Sequence, residues 1–93
     1  MGDLTIDDFT GWVGRECDVT APESDVRMTL VTAEPIAGSL RSAGGFRLEF
    51  LGPQDPLLAQ AIMTVAGPDR TDDIFLVPVE RDARGTVYEA VFF

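Results

Sequence analysis

The chain has no histidine, no lysine and a single cysteine, Cys17. One thiol cannot close an internal disulfide, and without histidine the common zinc ligand sets cannot be assembled. The same absence removes the usual general base and the usual partner of a serine or cysteine nucleophile. Long apolar runs are missing too: none approaches the ~20 residues that a membrane-spanning helix needs. The opening MGDLTIDDFTGW has neither the basic region nor the apolar stretch of a signal peptide, so a cytoplasmic protein is predicted. There is no glycine-rich phosphate loop, no GxSxG elbow and no HExxH motif. These absences together predict a non-catalytic protein without cofactor or metal.

Positive charge is scarce. Seven arginines face 16 carboxylates, and the net charge is −9. A nucleic-acid surface must neutralise phosphate and an anionic membrane attracts basic segments, so neither is expected as a partner. The charge suits solubility, a basic partner or a cation. What the chain does have is apolar content, at 45% of 93 residues. That supports one domain over residues 1–93 with one modest core.

The apolar residues are arranged mostly for strands. Thr5-Ile6-Asp7-Asp8 reads as a capping box opening a short helix of about two turns. Ile6, Phe9, Trp12 and Val13 would form its apolar face, and Gly14 its end. Glu16–Thr20 is a short strand with Cys17 and Val19 on one face. Val26–Ala33 follows, with Val26, Met28 and Leu30 together, and Pro35 ends or bends it. Gly38–Gly45 reads as a loop. Phe46–Leu51 alternates cleanly, with Phe46, Leu48 and Phe50 inward and Arg47 and Glu49 outward. Leu57–Gln60 is ambiguous between loop and helical turn, and Ala61–Val65 is a strand. Gly67–Asp73 reads as an acidic loop. Ile74–Glu80 and Thr86–Phe92 form a hairpin turned at Asp82-Ala83-Arg84-Gly85, where Gly85 suits a left-handed position. Pro78 cannot donate to a ladder, so a bulge or corner is expected there. With no crossover helix, the fold class is mainly β: a small antiparallel six-stranded barrel or sandwich with one short N-terminal helix.

Few groups invite chemistry. Cys17 beside Arg15 could be an activated thiol, but an inward strand position makes it a core residue. The acids Asp69, Asp72 and Asp73 do not match an EF-hand loop, and Arg70 interrupts them. Glu49, Glu80 and Glu89 could meet across strands, where Arg47 and Arg81 would pair with them as on any solvated sheet. The more informative feature is apolar. Ile74 and Leu76 face one side of their strand, while Phe75, Val77 and Val79 face the other. Both faces are therefore apolar, and the second is either covered by the helix or left as a contact surface. Tyr88 and the terminal Phe93 raise the same question. The candidate interaction surface is thus Phe75, Val77, Val79, Tyr88 and Phe93.

The stretches LTIDDFTGWVG, FRLEFLGPQDPLLAQ and IFLVPVERDARGTVYEAVFF resemble an uncharacterised bacterial domain family of about 90 residues, close to the 93 here. Its pattern is an L-T-x-x-x-F start, a phenylalanine-rich middle strand with G-P, and an F-L-V-P-V…Y-E-A-V-F end. Leu4, Thr5, Phe9, Gly14, Phe50, Gly52, Pro53, Phe75–Val79 and Tyr88–Phe92 carry the match. Cys17 stands where the family has an aromatic or aliphatic residue. Ala61-Ile62-Met63 stands where it has a glycine and an aromatic. The resemblance implies no activity. Members occurring beside phage-tail-like domains imply a structural or adaptor role. The expected function is a non-catalytic protein-interaction or structural module with an unknown protein partner, and the resemblance implies a phage-tail-like assembly as its setting. The alternative is a small-ligand-binding β-barrel whose interior is not filled by side chains.

Overall fold

Two strands are too long to serve one neighbour each, and they shape the molecule. The structure is a computed structural model that describes residues 4–41 and 44–93. Helix α1 (Asp7–Thr10) precedes β1 (Glu16–Thr20), β2 (Asp25–Ile36), β3 (Gly45–Gly52), β4 (Ala61–Ala66), β5 (Thr71–Asp82) and β6 (Gly85–Phe92). The strands are antiparallel and close a barrel in the order β1-β2-β3-β6-β5-β4. Strand β2, 12 residues long, pairs with β1 over Asp25–Thr29 and with β3 over Thr29–Ile36. Strand β5, equally long, pairs with β4 over Thr71–Leu76 and with β6 from Val77 onward.

A strand that changes partner must bend, and a bulge supplies the bend. In β2 the register shifts between Leu30 and Thr32, leaving Val31 extra. In β5 it shifts between Pro78 and Glu80, leaving Val79 extra. The bulge expected at Pro78 is therefore present, where a missing N–H costs the ladder least. The mainly β, six-stranded, antiparallel architecture is as expected, with the barrel rather than the sandwich realised.

Both mouths of the barrel are plugged. Strands β6 and β5 lie between β3 and β4 in the ring, so residues 53–60 must cross one mouth. Leu58 from that crossing is fully buried, and its N–H donates to the Tyr88 hydroxyl at 3.0 Å. At the other mouth α1 inserts Phe9 and the turn after it inserts Trp12, both buried. The Phe9 ring lies 5.2 Å from Trp12 and 5.7 Å from Phe46, and Phe46 stacks on Phe92 at 4.4 Å. Between the plugs, Met28, Leu30, Leu48, Phe50, Met63 and Leu76 fill the interior.

Several local expectations are corrected. The helix has one turn, not two, and Val13 is exposed rather than part of its apolar face. Only half of the capping box forms: the Asp8 carboxylate accepts from the Thr5 N–H at 2.8 Å, while the N-cap is Ile6, with no side-chain cap. The helix stops because the chain turns to join β2, where the Gly14 N–H donates to the Leu30 carbonyl and the Leu30 N–H to that of Arg15. Pro35 does not end β2, which continues to Ile36 with Pro35 opposite Phe46. Strand β5 begins at Thr71, inside the segment expected to be an acidic loop, and residues 57–60 are irregular. Within the loop expected at Gly38–Gly45, residues 42 and 43 lie outside the described residues. No helix among the described residues is long and apolar enough to cross a membrane.

Candidate interaction face

Alternation along β5 sends Ile74 and Leu76 inward and leaves Phe75 and Val77 on the outer face. Pairing extends that face sideways. Ile62 of β4 lies opposite Phe75, and Val77 lies opposite Glu89 of β6. Two residues beyond Glu89, and on the same side of β6, comes Val91, opposite Arg47 of β3. Phe93 follows Val91 by two. Ile62, Phe75, Val91 and Phe93 are exposed by 67, 52, 52 and 60%. Four large apolar side chains and the half-buried Val77 thus share the outer side of β4, β5 and β6.

Of the five candidate residues, this face gathers Phe75, Val77 and Phe93. Val79 is also exposed, but it lies in the bulge toward the opposite mouth, beside Leu57. Tyr88 is a correction. It is fully buried, because it lies opposite Pro78 and Phe50 on the inward side of β6 and its hydroxyl is occupied by Leu58. Ile62 and Val91 were missed by the sequence reading. The signal for Val91 was present: Glu89 is polar, and a residue two further along shares its side. Helix α1 does not cover this face. Its Phe9 side chain enters the mouth, and it is tied there by Arg70, which bonds Asp8 at 3.1 Å and Asp72 at 2.6 Å and lies over the Phe9 ring.

Beside the apolar row lies a charge cluster. Glu49 and Glu89 are directly opposite, a like-charge arrangement that costs stability unless neutralised. Arg47 neutralises it in part, reaching Glu49 at 2.9 Å, Glu89 at 3.3 Å and Glu34 at 2.9 Å. Hydrogen bonds to Glu34 and Glu49 raise the Arg47 pKa still further, so the guanidinium stays charged. One cation against three carboxylates leaves the cluster at −2. On the other flank, exposed Asp73 accepts from the Thr64 hydroxyl at 2.8 Å.

Other candidate chemistry is weaker. Cys17 is buried, and burial, followed by the neighbouring Asp18 charge, pushes its thiol pKa up to about 11, the opposite of activation. The barrel interior is occupied by side chains. Two hollows of about 300 and 270 Å³ are shallow and open to solvent, one at the β1–β2 hairpin and one between Leu57 and the end of β5.

A family model described as a domain of unknown function, DUF6916, matches residues 4–92. No curated protein and no solved structure matches the chain.

Proposed function

We propose, from the premise that this chain belongs to the DUF6916 family of domains of unknown function, that it is a non-catalytic interaction module docking through the outer face of β4, β5 and β6. The observation that carries this is the joint exposure of Ile62, Phe75, Val91 and Phe93 on one side of the barrel. Soluble domains scatter single apolar residues over their surfaces, but a contiguous set marks a contact site. The plugged, filled barrel gives a rigid platform, which favours recognition over ligand enclosure. In the finer form of this reading the partner is a component of a phage-tail-like assembly, and tail, baseplate or sheath genes beside this one would support that form.

The test compares wild type with Phe75→Asp as tagged baits in extracts of the native host. Wild type is expected to retain a defined protein that Phe75→Asp loses, with the melting temperatures of the two baits agreeing within a few degrees. Identical retention by both baits would remove this face as the docking surface.

A further inference from the structure

We infer that the partner seated on this face is a protein segment presenting arginine or lysine around an apolar centre, not a second copy of this chain; the inference rests on the outer face being the contact surface. The charges flanking the apolar row carry it. Along one side run Glu89, Glu49 and Glu34, with Arg47 as the cation that strand pairing places among them. Along the other side is Asp73. The flanks sum to −3, on a chain of −9.

Those carboxylates are not saturated. A guanidinium has five N–H donors, whereas three carboxylates offer up to six oxygens with two lone pairs each. Arg47 therefore leaves acceptor capacity for incoming cationic groups, and bidentate arginine suits it best. Placing an apolar partner on Ile62, Phe75 and Val91 would exclude water beside these carboxylates and strengthen each charge pair. A second copy does not fit. A two-fold contact sets the same patch against itself, so the −2 cluster or the flanking Asp73 would face its own equivalent or another acid. Anionic lipid is repelled for the same reason.

The probe is a short fluorescent peptide alternating arginine and leucine, compared with one carrying glutamate in place of arginine, by anisotropy at low and high salt. The arginine peptide should bind wild type, weaken with salt, and lose about tenfold in affinity on Phe75→Ser, on Ile62→Ser and on the Glu49→Gln/Glu89→Gln double variant. It should bind Asp18→Asn/Asp25→Asn, an acidic control at the β1–β2 hairpin, as it binds wild type. Equal binding of both peptides, each lost with Phe75→Ser, would overturn the partner class while leaving the face as the docking surface. So would a wild-type dimer in sedimentation that Phe75→Ser dissociates. Arginine-peptide binding indifferent to Phe75→Ser and Ile62→Ser would overturn both. Thermal melts of each variant confirm folding, and Ile62→Ser stands in if Phe75→Ser does not fold.

Discussion

Tyr88 and Thr86 are neighbours on the inward side of β6, both fully buried, and their hydroxyls fare differently. The Tyr88 oxygen accepts from the Leu58 N–H, among the described residues the one wholly buried polar tie between the crossing segment and the barrel wall. The Thr86 Oγ1 has no partner among the described residues. Removing an acceptor strands a buried N–H, whereas removing an unpaired hydroxyl relieves a desolvated group. Tyr88→Phe should therefore destabilise the protein by about 1–3 kcal/mol, and Thr86→Val should stabilise it by about 1 kcal/mol. Urea denaturation of the two variants checks the pair, and a loss of stability in Thr86→Val would mean that its hydroxyl is in fact satisfied. Cys17, equally buried, has only a long contact of 3.5 Å from its sulfur to the Met28 carbonyl, so packing rather than reactivity accounts for its place on β1.

Elements differ in how far local sequence determined them. Strands β1 and β3 were legible because each alternates apolar and polar residues with one face inward, β4 because Ala61–Val65 is a short apolar run bounded by turn residues, and Pro78 announced its bulge by chemistry alone. The start of β5 was not legible, because Thr71-Asp72-Asp73 has the composition of a loop and is held in the sheet by pairing with Val65, Thr64 and Ala66. The bulge at Val31 was hidden because Leu30-Val31-Thr32-Ala33 is acceptable on either face. Part of the interaction face followed from β5 alone, but Ile62 entered it only through cross-strand register. Tyr88 was misplaced because its requirement is tertiary: it serves Leu58, from a segment with no periodic signal. The turn before β5 carries a constraint of the same kind. A side chain at Gly67 would enter the Trp12 ring, so the glycine is where the plug helix and the β4–β5 turn meet. Gly67→Ala should displace the ring and cost about 1–3 kcal/mol, as overpacking does, while Val13→Ala on the exposed side of the same segment should cost little. Equal stabilities for the two variants in denaturant would show that the plug is loosely seated.

At the scale of the molecule, the barrel has no independent parts. Each long strand belongs to two neighbours in the ring, the crossing segment seals one mouth, and α1 seals the other with side chains that contact β3 and β6 aromatics. A one-turn helix has no stability of its own, since nucleation alone is unfavourable and four residues cannot offset it. Its order must come from burying Phe9 and Trp12 and from the Arg70 pairs. Conversely, losing the plug would expose Phe46 and Phe92 to water. Helix and barrel should therefore unfold together. Trp12 is the single tryptophan, so its fluorescence reports the plug alone, while far-UV circular dichroism reports mainly the strands. The two signals are expected to give superimposable denaturant transitions with one midpoint. A fluorescence midpoint well below that of the dichroism would make α1 a separately opening cap. The opened mouth would then add Phe46 and Phe92 to the apolar surface available to a partner, and the outer face of β4, β5 and β6 would no longer be the only candidate among the described residues for docking.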